Sequence, residues 1–422
     1  MAKYVMSTSP SKARVITFGC RLNSYESSVI RNNAQAYNDQ ETIVVNTCAV
    51  TAEAERQARQ AIRKARREQP RAKIIVTGCS VQITPDTYAR MPEVDVVVGN
   101  REKLRPQLFE ATTAGVNVAN IMHTDGSDLT IQPSKDNRTK AFVQVQTGCD
   151  HRCTFCIIPY GRGNNRSVPI KRILEEIKSL VLEGCNEVVL TGVNITSYGF
   201  DLEPQTTFGF LVKTILQKVP GLKRLRLSSL DPAEIDDTLW QVLAKNERLM
   251  PHLHLSVQAG HDLILKRMRR RHSRSDILSC VRRARLLRPN ITFGADLIAG
   301  FPTETQSMFE STQDLIEECN FEFLHVFPYS IRKGTPAARM PMVPVELRSE
   351  RAKNLRSLGQ HIQASFFSQS LGNKAAVLLE TSNFGRTENN IPVELLTPDK
   401  PNSIKTVALT RVRDKAILGR IV

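Results

Sequence analysis

Between residues 12 and 122 the chain repeats one unit: a short, β-branched apolar run followed by a helix-patterned stretch. The runs are ARVITFGC, ETIVVNTC, AKIIVTGC and VDVVVGN. A strand with one solvated face alternates polar and apolar residues. These runs carry almost no polar relief, as parallel strands covered on both faces require. Parallel neighbours need long crossovers, and the intervening stretches are helical in pattern. Residues 1–122 therefore read as a small parallel-sheet α/β domain.

At 422 residues the chain exceeds a single core, and it divides further. HTDGSDLTIQPSKDNRTK, residues 123–140, is polar and rich in turn formers, and reads as a linker. From Ala141 the alternation resumes through AFVQVQT, NEVVLTGVN, LKRLRLSSL, HLHLSVQ, TFGADLIAGF and FEFLHVFPYS. Six strand–helix units in succession predict a partial (βα)6 barrel over residues 141–358, with an open doubly wound sheet as the alternative. A helical stretch runs from about Pro344 to Phe367. Beyond it, GNKAAVLLETS, GRTENNIPVELL, SIKTVALTRVR and KAILGRIV are short strands joined by Gly, Asn and Pro turns. Residues 359–422 thus read as a small β-barrel-like module.

Six of nine cysteines follow a pattern. Cys20, Cys48 and Cys79 each close one of the first three strand-like runs. Ligands bind outside the carboxyl ends of an open parallel sheet, and neighbouring strands lie about 5 Å apart, so the three thiols are placed to converge. Three separate buried thiols are the plainer reading. Cys149, Cys153 and Cys156 lie in GCDHRCTFCIIPYGRG, directly after the first strand of the predicted barrel, at the end where barrel active sites form. Thiolates suit zinc or iron–sulfur clusters. A structural zinc would take four ligands, with His151 as the fourth. A four-iron cluster on three thiols would instead keep one iron free for a substrate or cofactor. Cys185, Cys280 and Cys319 fit no pattern and read as buried spectators.

CxxxCxxC after a first barrel strand, with Phe155 before its last cysteine, resembles the radical S-adenosylmethionine (SAM) enzymes. The longer GCDHRCTFCIIPYGRGNNRSVP is similar to the methylthiotransferases among them. TFGCRLNSYES, VNTCAVTAEAERQ and VTGCS resemble that family's N-terminal domain, with Cys20, Cys48 and Cys79 at its second-cluster ligands. VVLTGVNITSYG, RLSSLDPAEID, HLHLSVQAGHDLILKRMRRRHSR, GADLIAGFPTE and LHVFPYSIRKGTPAARMP are most similar to the branch acting on threonylcarbamoyladenosine in tRNA. The last module occupies the place of the family's TRAM domain, although it is short, and Ile331 stands where proline is expected.

The resemblance implies two 4Fe-4S clusters, a radical SAM cluster on Cys149, Cys153 and Cys156 and an auxiliary cluster on Cys20, Cys48 and Cys79. It also implies two SAM molecules per turnover: one is cleaved to a 5′-deoxyadenosyl radical and the other supplies the methyl group. An electron donor and a sulfur donor must come from outside the chain. Phe155, Gly192, Asn194, Ser256 and Gln258 are candidate SAM contacts, each of which could equally serve packing or loop hydrogen bonding.

The formal net charge is +16, which favours a polyanionic partner. Arg56, Arg59, Arg63 and Arg66 recur at helical spacing, and Arg269, Arg270 and Arg271 lie in KRMRRRHSR. These are candidate phosphate contacts, with a solvated charged face as the plain alternative. The target would be a loop base beside the anticodon, which is cheap to extrude. No apolar run reaches membrane-spanning length, and the first residues lack a signal-peptide core, so a cytoplasmic protein is expected. The expected activity is methylthiolation of C2 of N6-threonylcarbamoyladenosine. The rivals are isopentenyladenosine in tRNA, a ribosomal protein, and a non-catalytic zinc- and RNA-binding module.

Overall fold

The structure, a computed structural model, describes residues 13–35, 41–109, 115–123 and 139–422. Strands β1 (Ala13–Thr17), β2 (Thr42–Thr47), β3 (Lys73–Gly78), β4 (Val96–Val98) and β5 (Gly115–Asn117) form one parallel sheet in that order. Every residue of β2 is buried, because helices cover both faces. On one face Ile30 of the helix Arg21–Gln35 packs with Val44 and Ile75. On the other, Ala58, Ile62 and Ala65 of the helix Ala52–Glu68 pack on Ile43, Val45, Ile74 and Val76. This double cover is why the runs lack polar alternation. Sequence reading missed β5, whose three residues are all exposed and carry no apolar pattern.

The barrel strands are β6 (Lys140–Gln144), β9 (Glu187–Thr191), β10 (Arg224–Leu227), β11 (His252–Gln258), β12 (Thr292–Ala299) and β13 (Phe323–Pro328). Between β6 and β9 a short antiparallel pair, β7 (Gln146–Thr147) with β8 (Arg166–Ser167), brackets the second cysteine loop. The six barrel strands run parallel in two threes, β10-β9-β6 and β11-β12-β13, joined by the bridges Leu225↔Leu249 and Leu230↔Leu255. The result is the expected open (βα)6 arc rather than a doubly wound sheet.

Outward residues such as Val143, Val188, Leu225, Leu253, Phe293 and Leu297 join the main apolar core. The alternate positions, including Glu187, Arg226, His254, Asp296 and His325, turn into the lumen. A complete barrel fills its interior with side chains, whereas this one is lined with polar groups.

Strands β14 (Lys374–Leu379), β15 (Phe384–Thr387), β16 (Pro392–Leu395), β17 (Ile404–Arg413) and β18 (Ala416–Ile421) close into a small barrel. Its β15–β16 turn caps the amino end of the large barrel. Arg226 donates to the carbonyls of Thr387 and Glu388 at 2.7 and 2.8 Å, and Thr292 to that of Asn389 at 2.7 Å. The helix Val345–Gln369 runs unbroken across the expected boundary at 358/359. Gly359 passes so close to Leu324 of β13 that an added Cβ would sit 2.7 Å from its Cδ1, while Phe367 belongs to the small barrel's core. The helix is thus shared by both units. Of the expected linker, residues 124–138 lie outside the described residues.

Candidate active site between two thiol sets

Cys20, Cys48 and Cys79 stand at the carboxyl ends of β1, β2 and β3. Gly19 has φ +97°, and a Cβ there would lie 2.8 Å from the Cys48 Sγ, so the Cys20 loop folds directly over Cys48. Burial pushes the Cys48 thiol up to about 12, and the neighbouring Cys79 and Cys20 add to the shift. Asn23 staples the loop by donating to the carbonyls of Phe18 and Thr47 at 2.7 and 3.0 Å. Thiols some thirty residues apart in sequence therefore face one crevice, because each ends a neighbouring parallel strand.

Cys149, Cys153 and Cys156 occupy the loop after β7. Gly148 starts it with φ +73°, where a Cβ would meet the Asn164 carbonyl oxygen at 1.8 Å; only glycine fits. Cys149 N–H donates to the Gly163 carbonyl at 3.0 Å and Cys156 N–H to that of Cys153 at 3.0 Å. Thr154 ties the loop to the main chain at Arg267 and Met268. Burial raises the Cys156 thiol to about 12 and the Cys149 thiol to about 11.

The two sets are neighbours. The helix Ile158–Arg162, which follows Cys156, packs on Cys79: a Cβ on Gly161 would lie 3.2 Å from the Cys79 Cβ. Arg162, only 3% exposed, donates to Glu26 at 2.7 and 3.0 Å and to Asn23 Oδ1 at 2.6 Å. Lys103, fully buried, completes the knot with a 2.5 Å bond to Glu26. Burial alone would raise the Glu26 carboxyl, but Arg162 and Lys103 together hold it at about 2. A cavity of about 530 Å³ opens beside both sets, lined by Gln82 and Ile83 after Cys79, and by Ile157 and Tyr160 after Cys156.

The donor chemistry fits iron–sulfur cages better than zinc. Tetrahedral zinc draws thiolates to about 3.8 Å from one another. Among the described residues, the one group of three His, Cys, Asp or Glu ligand atoms all within 4.8 Å is His254, Asp296 and His325, so neither thiol set is drawn that tight. The zinc reading needs His151, whose Nε2 instead lies 3.0 Å from Glu234 Oε1. Each thiol set also has a buried guanidinium at hand to offset anionic charge. Arg162 feels Cys79 and Cys20 electrostatically, and Arg270 Nη1 lies 3.6 Å from the Cys153 Sγ.

Phe155 packs edge-on against Phe301, with ring centroids 6.4 Å apart. Gly192 lets its loop close on Gln146, whose side-chain oxygen would be 2.7 Å from an added Cβ. That oxygen accepts from the N–H groups of Val193 and Asn194. Asn194 donates to Glu234 Oε2 at 3.0 Å and to Ser197 Oγ at 2.6 Å. Ser256 and Gln258 are both half-buried at the carboxyl end of β11, and Gln258 has φ +70°. Glu234 went unnoticed in the sequence. It gathers His151, Asn194, Thr196, Ser197 and Arg271 beside the second thiol set, and only the fold brings these together.

Two of the basic candidates turn inward. The Arg270 side chain is 8% exposed, bonds Asp231 at 2.8 Å and lies 3.6 Å from the Cys153 Sγ. Arg66 turns back to the carbonyls of Pro70, Ala72 and Glu93 and to Asp95 at 2.6 Å. The four helix arginines therefore form no single exposed stripe. Arg56 and Arg63 are exposed, Arg59 is half-buried, and Arg56 is chelated by Glu53. Arg269 and Arg271 are exposed, the latter on Glu234.

The fold and the paired thiol sets define a radical SAM enzyme with a second thiol-bearing domain. A family described as "Radical SAM superfamily" matches residues 143–316, and "Uncharacterized protein family UPF0004" matches residues 12–99. The chain is similar to the radical SAM methyltransferase TsrM of Kitasatospora setae, with a TM-score of 0.56 at 14% identity over 78% of this chain and 75% of that one. That likeness concerns the fold. In sequence it is 52% identical over 384 residues, 91% of each chain, to the threonylcarbamoyladenosine tRNA methylthiotransferase MtaB of Rickettsia prowazekii. It is 35% identical to the protein of that name from Bacillus subtilis, over 88% of this chain and 85% of that one. It is 34% identical to the tRNA-2-methylthio-N(6)-dimethylallyladenosine synthase of Clostridium botulinum, over 82% and 81%. The chain belongs to the radical SAM methylthiotransferases, in the threonylcarbamoyladenosine tRNA branch. The cofactors of this family are SAM and 4Fe-4S clusters. Among the described residues no helix is long and apolar enough to cross a membrane.

Proposed function

We infer that this chain methylthiolates C2 of N6-threonylcarbamoyladenosine next to the anticodon of tRNA, giving 2-methylthio-N6-threonylcarbamoyladenosine. The observation that carries the reading is the juxtaposition of two three-thiol sets, each at the carboxyl end of a parallel sheet, across the buried Arg162. Cys149, Cys153 and Cys156 would hold the SAM-cleaving cluster, and Cys20, Cys48 and Cys79 the auxiliary one. When bound, these groups and SAM supply the one-electron chemistry and the methylthio group.

The chain's own part is positional. Gln146 and Gly148 fix the second loop, and Arg270 and Arg162 place positive charge beside cysteine sulfurs. Glu234 organises the His151–Asn194 rim, and the polar lumen admits the extruded base. The protein works in the cytoplasm and receives electrons and sulfur from partners outside this chain. The domains would divide at 1–122, 141–358 and the small barrel, with the helix Val345–Gln369 shared.

Anaerobically reconstituted protein should hold about eight irons, and Cys79→Ala or Cys153→Ala should each lose about half of them. Nucleosides from tRNA of cells lacking the gene should lose the methylthio group on threonylcarbamoyladenosine. Loss on dimethylallyladenosine instead would overturn the substrate, and a colourless zinc protein would overturn the chemistry.

A further inference from the structure

Resting on that reading, one barrel strand offers a seat for the substrate base. On β13, Leu324 packs against Gly359 of the helix Val345–Gln369 and Val326 joins the main apolar core, so both point outward. Strand side chains alternate between faces, which turns Phe323, His325 and Phe327 into the lumen. β12 runs in the same phase, with Asp296 beside His325 and Ile298 beside Phe327. Asp296 accepts from Ser229, just past β10 on the other half of the arc, at 3.0 Å, which fixes that face as the inner one.

These lumen groups differ in how fully they are engaged. Phe323 packs edge-on to His252 and Phe366, with ring centroids 5.4 and 6.3 Å apart. Asp296 Oδ1 lies 2.9 Å from His254 Nε2 and 3.2 Å from His325 Nδ1, and the two imidazoles are 4.6 Å apart. The His325 ring is thus held through Nδ1. Its side chain is nonetheless 56% exposed, and its Nε2 has no hydrogen-bond partner among the described residues. Phe327 is 40% exposed and meets no other ring among the described residues. Three residues beyond it, Ser330 accepts from the Ala52 N–H at 3.1 Å, and Arg332 pairs with Glu55. This end of β13 is therefore tied to the helix that follows Cys48.

The ligand atoms of His254, Asp296 and His325 lie within 4.8 Å of one another, close enough for a metal ion. The two imidazoles and Ser229 already satisfy the carboxylate, so the group works as a clamp on His325 without an ion. The geometry points to His325 and Phe327 as the seat of the modified adenine: Phe327 stacks on the base, and His325 Nε2 bonds the polar substituent on N6. Aromatic faces hold extruded bases by stacking. Two residues of a strand span about 6.6 Å, so a base on Phe327, at the thiol end, extends its substituent to His325 deeper in the lumen. The threonylcarbamoyl group offers that nitrogen a carboxylate, a hydroxyl and a ureido group. A dimethylallyl group offers no polar atom and leaves Nε2 unpaired, which is how a polar site disfavours an apolar analogue.

The test uses full-length reconstituted enzyme and one tRNA in three forms, with threonylcarbamoyladenosine, dimethylallyladenosine or plain adenosine beside the anticodon. Wild type should bind the first roughly 10-fold tighter than the second. His325→Leu should bring that ratio near one while leaving the Kd for the adenosine form and the iron content unchanged, and His325→Gln should fall between. Phe327→Leu should weaken all three forms alike, by roughly 5- to 100-fold, and keep the ratio, whereas Phe327→Tyr should match wild type. The inference is overturned if wild type has no such preference, if His325→Leu keeps it or loses it only together with iron, or if Phe327→Leu binds as wild type does. Stoichiometric zinc in wild type that His325→Leu lacks would also overturn it, by giving the clamp to a metal. Wild type that transfers no methylthio group to the threonylcarbamoyl form would sink the functional reading instead.

Discussion

Arg162 does what no surface arginine can: it links the loop after Cys156 to the helix after Cys20 through direct bonds to Glu26 and Asn23, all three buried. Burying such ions is costly, and removing one partner leaves the other uncompensated. Glu26 carries the pH signature of the knot. Its carboxyl is held at about 2, below the ordinary value near 4.3 that it would have unfolded. Its contribution is therefore complete above pH ~4.3 and is lost as pH falls toward 2. Urea unfolding followed from pH 5 to pH 3 should show wild type losing stability faster than Glu26→Gln, with a difference on the order of 2 kcal/mol over that range. Gly148 is the second residue with a sharp expectation. Gly148→Ala should detach the second thiol loop from Asn164, so that about half the iron is lost while the first set keeps its share, as read by iron analysis. The sequence marked both residues as part of a motif, but Glu26 carried no signal because its partners come from residues 77 and 136 positions away.

At the scale of elements, the strands were legible because β-branched runs buried on both faces leave a continuous apolar trace. β5 left none, since all three of its residues face solvent. The unit boundary expected at 358/359 falls inside the helix Val345–Gln369 for a related reason. One helical pattern serves two cores, and periodicity shows a helix without showing what it packs on. The docking of the small barrel was equally hidden, because Arg224 and Arg226 recognise main-chain carbonyls, which no sequence pattern advertises. Arg226→Leu should loosen that contact and leave Glu187 short of a partner. The expected results are ~3 kcal/mol lower stability and faster limited proteolysis near residues 370–373, with the small barrel released intact.

For the whole molecule, the charge of +16 implies a salt-dependent grip on tRNA. The structure divides the basic runs into arginines that build the protein and arginines that meet solvent. Arg66→Gln should leave the slope of log Kd against log salt unchanged, whereas Arg63→Gln should lower it by roughly 0.7 to 0.9. Fluorescence titration of tRNA between low and physiological salt measures both. A helical wheel cannot make this separation, because Arg66 is removed from the surface by Glu93 and Asp95, on a different element.

By itself the sequence determined the local chemistry: which runs become strands, that thiols end them, and that three cysteines in eight residues form one ligand loop. Those properties depend on residues near in the chain, where spacing alone dictates geometry. Only the tertiary structure decided that the helix after Cys156 packs on Cys79, that Arg270 lies beside Cys153, and that Glu234 gathers His151, Asn194 and Arg271. Each of these depends on charges and carbonyls brought together across large sequence separations, where the energy resides in the contact and leaves no periodic mark on either segment.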